Sequence, residues 1–362
     1  MSMHVMIAGG GIVGCMTAME LVGRGCRVTI VERGQIASQT SGESSWAGGG
    51  IIFPLLPWMY GDAVNQLTMA GARFYPDICE RLRAETGFDA ELLQCGMLIL
   101  PTFEREKALA WCEAYQVAAQ SASAKAFGVA SPGGDEALWL PGVSQARPPY
   151  MMRALRRWLE QQGVTMLEST ELKPLTSGDA PMHAWETVHG EKLHADKFVV
   201  TSGAWSFDLL KETASKLKIK PMRGQILLYE PKQNLDCMVY REGFYMIPRK
   251  DGLLLAGSTL EDVGFNPATT EQARAEISAK AEAIMPALKG LPILKHWAGL
   301  RPGTPENLPT ISAHPDIENL YLNTGHFRYG LTMAPASARI VSALICGETP
   351  FIDPSPFACP TQ

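Results

Sequence analysis

The first thirty-two residues constrain this chain more than any other stretch. His4 to Ala8 reads as a short apolar strand running into Gly9-Gly10-Gly11-Ile12-Val13-Gly14, a G-x-G-x-x-G with glycines at 9, 11 and 14. Cys15 to Gly23 continues as an apolar-faced helix, and Cys26 to Val31 is a second strand ending at Glu32. Gly9 permits the tight turn, Gly11 lets the backbone approach a pyrophosphate, and Gly14 lets helix and strand pack closely. The helix N-terminus, with its free N–H groups, favours phosphate. Glu32 is placed to hold ribose hydroxyls, and an acid there argues against a 2′-phosphate, so FAD or NAD fits better than NADP. A glycine-rich turn without a nucleotide is the bland alternative; the strand before, the helix after and the acid at the right distance weigh against it.

At 362 residues the chain exceeds one ordinary core, so two domains or one elaborated α/β domain are expected. A net charge of −5 offers no basic surface for nucleic acid and no polybasic membrane anchor. The first strand leaves no room for a signal peptide. The apolar stretch from Ala47 to Tyr60 is too short to span a bilayer and contains Pro54 and Pro57. No transmembrane segment is expected, and the eight cysteines, with no C-x-x-C pair, read as reduced thiols of a cytoplasmic protein. Seven scattered histidines give a metal site little support.

Amphipathic helices are predicted between about residues 61 and 120, and Ser131 to Asp135 marks a loop. Tyr150 to Gln162 reads as a helix with solvated arginines, Val164 to Leu167 as a strand, and His194 to Thr201 as another, closing on Ser202-Gly203-Ala204-Trp205. The pattern then changes to alternating strands at Gln225 to Tyr229, Phe244 to Pro248 and Leu253 to Gly257, the last two joined by the turn Lys250-Asp251-Gly252. Leu320 to Asn323 and a helix from Ala334 to Cys346 return to the first region.

Two arginines stand among loops and glycines rather than on a helix surface: Arg301 in WAGLRPG and Arg328 in GHFRYG. The rigid donor fork of arginine matches a carboxylate bidentately. A structural ion pair is the competing reading for both. Tyr245, in the hairpin strand, could donate a second hydrogen bond to the same carboxylate or simply fill a core.

In this order, GGGIVG, GESSWAGGGIIFPLLPW, TSGAWS, PMRGQ, YMIPRKDG, WAGLRPGTPENLP and GHFRYGLTMAPA resemble the flavin-dependent amine oxidases of the D-amino-acid oxidase family, above all its glycine-oxidising, thiamine-pathway branch. The resemblance covers essentially the whole chain. It implies an α/β fold: a glutathione-reductase-like FAD-binding Rossmann domain of residues 1–78, 145–218 and 296–362, and an α+β substrate domain on an antiparallel sheet from 79–144 and 219–295.

The resemblance also implies roles. Gly9, Gly11, Ile12, Val13, Gly14, Glu32 and Arg33 would bind FAD, with Ser44, Ser45, Ala47 and Gly48 from the following loop. Leu172 and Gly203 would lie near the adenine half, while Gly325, Arg328, Tyr329, Gly330 and Leu331 would surround the flavin's pyrimidine edge. Arg301 would clamp the substrate carboxylate with Tyr245, and Arg328 would line the same site. Glycine, sarcosine or a small D-amino acid would lose hydride from Cα to flavin N5, giving imine and then glyoxylate and ammonia. Dioxygen would take the electrons as peroxide, and no side chain would act as base.

No cysteine matches the covalent flavin attachment of sarcosine oxidases, so FAD is expected to be non-covalent. Leu260 replaces a methionine of some relatives, and Ile51 to Tyr60 is more apolar than in Gram-positive members. A homo-oligomer, such as a tetramer, is implied. The alternatives are a D-amino-acid or N-methyl-amino-acid oxidase, a dehydrogenase passing electrons to quinone, or a flavoprotein acting on a macromolecule, against which the absence of basic clusters weighs.

Overall fold

The computed structural model describes residues 2–38, 42–176 and 181–360. Val5, Met6, Ile7 and Ala8 are all buried, as a central strand covered on both faces requires. His4–Ala8 pairs in parallel with Arg27–Val31 on one side and Lys197–Val200 on the other. Thr165–Leu167 extends this sheet beyond Arg27–Val31, and Leu320–Thr324 and the antiparallel Thr310–Ala313 extend it the other way, making six strands. The helix Ile12–Gly23 buries Cys15, Met16, Ala18 and Leu21 in one cluster with Ala334, Ala338 and Val341 of the helix Gly330–Cys346. Small residues on both helices let them approach closely.

The second part is built on eight strands. Lys220–Tyr229 pairs antiparallel with Lys295–Gly303 on one side and with Leu254–Gly257 on the other. Phe244–Pro248, Met238–Arg241, Met97–Ile99, Glu136–Leu140 and Gln120–Ser123 complete it, with a parallel step between Met238–Arg241 and Met97–Ile99. The D-G turn falls where the sequence places it, and Gly252 adopts φ +87° there. A Rossmann-type parallel-sheet region beside an antiparallel second region is therefore the architecture.

Several details differ from expectation. The His194 to Thr201 strand is two strands: Lys192–His194 pairs with Ala184–Glu186 in a separate ribbon, and only Lys197–Val200 enters the main sheet. The strand expected from Gln225 starts at Lys220, because Lys295–Gly303 supplies partners along its whole length. The domain boundaries expected at 78/79 and 295/296 fall inside the helix Asp62–Thr86 and the strand Lys295–Gly303, and that strand pairs in the antiparallel sheet. Arg156 is not merely solvated: it donates to Ile36 O (2.9 Å) and pairs with Glu168, bracing the loop after Glu32.

The last helix begins at Gly330, four residues before the expected start, and runs through Pro335. Proline has no N–H to give the carbonyl four residues earlier. The buried Tyr75 hydroxyl fills that place, donating to Leu331 O at 2.5 Å. Phe327–Cys346 is the one stretch among the described residues long and apolar enough to cross a membrane, and most of it is buried within the fold.

Candidate active site

At the nucleotide end the glycines behave as their spacing predicts. Gly9 has φ +116°, and a Cβ on Gly14 would stand 2.0 Å from Gly9 O. The Glu32 carboxylate accepts the N–H groups of Gly10 (2.8 Å) and Gly34 (2.9 Å), which fixes it at the edge of the turn. Ser45 comes across from its own short helix to accept the Ile12 N–H at 3.0 Å. A cavity of about 270 Å³ opens here. Gly9, Gly11, Ile12, Val13, Glu32 and Arg33 line it on one side. Ser44, Ser45, Leu172, Gly203 and Gly330 line it on the other.

A second cavity, of about 430 Å³, shares Ile12, Ser44, Ser45, Phe327 and Gly330 with the first, so the two adjoin. Tyr245, Arg301 and Arg328 meet in this second cavity, together with Gly48, Tyr329 and Leu331. Arg301 reaches it from the strand Lys295–Gly303; its Nη2 donates to Ser258 Oγ (2.7 Å) and its Nη1 to Thr259 O (3.2 Å). Burial pushes its guanidinium below the ordinary value, the neighbouring Tyr245 hydroxyl opposes that, and Arg328 adds to it. Among the described residues no ion pair ties either Arg301 or Arg328 to a carboxylate, so the competing ion-pair reading does not hold. Glu242, Glu261 and Glu276 also line this cavity, but among the described residues none pairs with either arginine, and Glu261 is held by Arg223; two cations left without an acid partner favour an anionic ligand.

Three expected residues lie behind the walls rather than on them. Gly14 packs under the turn; Ala47 is buried, its carbonyl accepting Trp297 Nε1–H at 3.1 Å; Gly325 adopts φ +81° and its carbonyl accepts the Thr304 hydroxyl at 2.9 Å. The apolar segment from Ile51 contributes Ile51, Phe53 and Leu55 to the second cavity, and Leu260 faces it as well. That segment is pinned to the last helix, since Thr332 Oγ1 donates to Ile51 O (3.0 Å) and the Tyr329 hydroxyl to Leu55 O (2.8 Å).

The sequence profile of the FAD-dependent oxidoreductase (DAO) family matches residues 4–344. The chain belongs to that family. It is 40% identical to a glycine oxidase of Pseudomonas aeruginosa over 99% of both chains, and 38% identical to one of Pseudomonas putida over 99% of this chain and 98% of the relative. A glycine oxidase structure from Bacillus cereus superposes with a TM-score of 0.88 at 24% identity, covering 100% of this chain and 99% of its own. The family makes this protein an FAD-dependent amino-acid oxidase.

The adjoining cavities fit the family's cofactor. One half presents a phosphate-type turn and an acid; the other presents the start of the helix Gly330–Cys346, which carries no side-chain cap. Uncapped N–H groups and the positive dipole end favour negative charge where that helix begins.

Sequence reasoning missed four contributors. A Cβ on Gly224 would stand 2.1 Å from Arg301 Nη1, so only glycine leaves room for the guanidinium. A Cβ on Gly49 would lie 3.0 Å from the Tyr245 ring. A glycine inside a strand marks such close approaches, so PMRGQ carried the first signal. His326, 2% exposed, lines the nucleotide cavity with Nε2 unpartnered among the described residues, and burial drives its pKa down to about 3. Buried Arg249 donates to Gly49 O (2.7 Å) and Gln145 Oε1 (2.5 Å), holding the backbone behind Tyr245. Scattered pairings of this kind leave no local pattern in the chain.

Proposed function

We propose that the protein oxidises glycine to iminoacetate, which hydrolyses to glyoxylate and ammonia, with dioxygen reduced to hydrogen peroxide. One observation carries the reading: Arg301 and Arg328, neither paired with an acid among the described residues, face a cavity that adjoins the nucleotide cleft. The glycine oxidases of two Pseudomonas species support the choice of amino acid. A bifunctional ThiO/ThiG protein of Trichormus variabilis, 27% identical over 95% of this chain and 53% of its own length, supports a link to thiamine formation.

Bound FAD would supply the acceptor for the substrate's Cα hydride and the route of those two electrons to dioxygen. Arg301 holds the substrate carboxylate through its fork, with the Tyr245 hydroxyl donating to the same group. Ser258 Oγ and Thr259 O fix the plane of that fork. Orientation is the protein's main contribution, since a carboxylate held at two points leaves the substrate's Cα little freedom. Arg328 adds positive potential and raises the affinity for an anionic substrate.

The apolar lining of Ile51, Phe53, Leu55 and Leu260 favours a second reading, in which sarcosine and D-alanine are also turned over. Anaerobic addition of glycine, sarcosine, D-alanine and D-proline to the yellow protein separates these. Fastest bleaching by glycine supports the proposal; bleaching mainly by D-alanine or D-proline assigns a sibling activity; bleaching by none overturns it.

A further inference from the structure

Cys26 follows the turn that closes the helix Ile12–Gly23, with its N–H donating to Leu21 O (3.1 Å). Cys346 is the last residue of the helix Gly330–Cys346, which Gly347 ends at φ +71°. An ion pair brackets the two: Arg24 Nε, two residues before Cys26, donates to Glu348 Oε2, two residues after Cys346, at 3.1 Å. Both turns are held locally, since Arg27 N–H donates to Met3 O (2.9 Å) and Glu348 N–H to Ala343 O (2.8 Å). Both cysteines are half-buried and pack against the same apolar cluster. The two thiols are electrostatic neighbours, as the Arg24–Glu348 pair two residues from each requires of the chain segments that carry them. Five of the other six cysteines are buried, and the sixth, Cys95, accepts a hydrogen bond from Gln145 Nε2 at 3.2 Å.

We propose that Cys26 and Cys346 are a peroxide-responsive dithiol, closing to a disulfide that staples the turn after the helix Ile12–Gly23 to the end of the last helix. The oxidant is hydrogen peroxide, and this inference rests on the oxidase reading only for an internal source of it. Burial and the Cys346 thiol push the Cys26 thiol up to about 11, so Cys26 acts second, as the resolving sulfur. The Cys346 thiolate attacks one peroxide oxygen, the O–O bond breaks, and the departing hydroxide takes a proton to become water, leaving a sulfenic acid. The Cys26 sulfur, losing its proton, then attacks the Cys346 sulfur and the S–O bond breaks, releasing the second water. Two thiols and one peroxide give one disulfide and two waters; the sulfur pair loses two electrons and peroxide gains them.

The cross-link joins residues far apart in sequence. It should raise the thermal midpoint of the holoenzyme by roughly 5 °C or more, reversibly with dithiothreitol.

The test treats purified holoenzyme with excess hydrogen peroxide, removes it with catalase, alkylates the remaining thiols under denaturing conditions and maps peptides by mass. The expected result is a fall from eight titratable thiols to six, a linked pair containing Cys26 and Cys346, and recovery with dithiothreitol. Cys26→Ser should leave Cys346 as a sulfenic acid trapped by dimedone. Eight free thiols after treatment, Cys346 oxidised to sulfinic acid with Cys26 free, or a link between Cys95 and Cys237 instead would each overturn the proposal. Added peroxide tests the pair without turnover. A parallel sample given glycine and oxygen tests the internal source, so failure of that arm alone points to the oxidase reading.

Discussion

A methyl group at position 224 would occupy space that the Arg301 guanidinium fills. Gly224→Ala should therefore displace the fork and raise the KM for glycine about tenfold or more while the flavin stays bound; an unchanged KM would show that the fork is not held over residue 224. Arg301→Lys keeps a charge but loses the paired donors. Hydrogen bonds to charged groups contribute about 1.5–3 kcal/mol, so its KM should rise about 10- to 150-fold in steady-state assays. His326 offers a different readout. If its unpartnered Nε2 meets the cofactor, His326→Ala should weaken FAD binding to apoprotein by about 2- to 10-fold, the worth of one neutral hydrogen bond, in a fluorescence titration.

The helix Gly330–Cys346 depends on a partner outside itself, because Pro335 withholds the N–H that Leu331 O would otherwise accept. Tyr75→Phe removes the replacement donor and leaves a buried carbonyl unpaired. The loss should be about 1–3 kcal/mol of stability, read as a lower unfolding midpoint with normal flavin content. This helix also shows what sequence can and cannot disclose. GHFRYG and the apolar run after it announced a glycine-rich turn and a helix, but a proline in that run pushed the expected start to Ala334. The hydroxyl that allows the earlier start lies 256 residues away in the chain. The same division runs through the site. Gly9, Gly14 and Glu32 were legible because their roles are local, whereas Gly224, Gly49 and Arg249 act across strands whose pairing no local pattern specifies.

Over the whole molecule, four histidines are held below their ordinary value, by burial first in each case: His4, His296, His314 and His326. In the unfolded chain each takes a proton near pH 6.5, whereas in the folded protein each does so only at lower pH. Between about pH 6.5 and 5 the unfolded state binds more protons, so stability falls as pH falls; well above 6.5 both states are neutral and the effect vanishes. Carboxylates held low, such as Glu168 beside Arg156, add to the loss only nearer pH 4.5. The urea midpoint should thus be lower at pH 5.5 than at 7.5, and His326→Asn should narrow the gap. The two arginines that share a cavity, neither paired with an acid among the described residues, have a practical consequence at the bench. Acetate or citrate in a buffer can settle where the substrate's carboxylate belongs, so rates taken in such buffers would report competition, whereas rates in an amine buffer with chloride would come closer to the unobstructed enzyme.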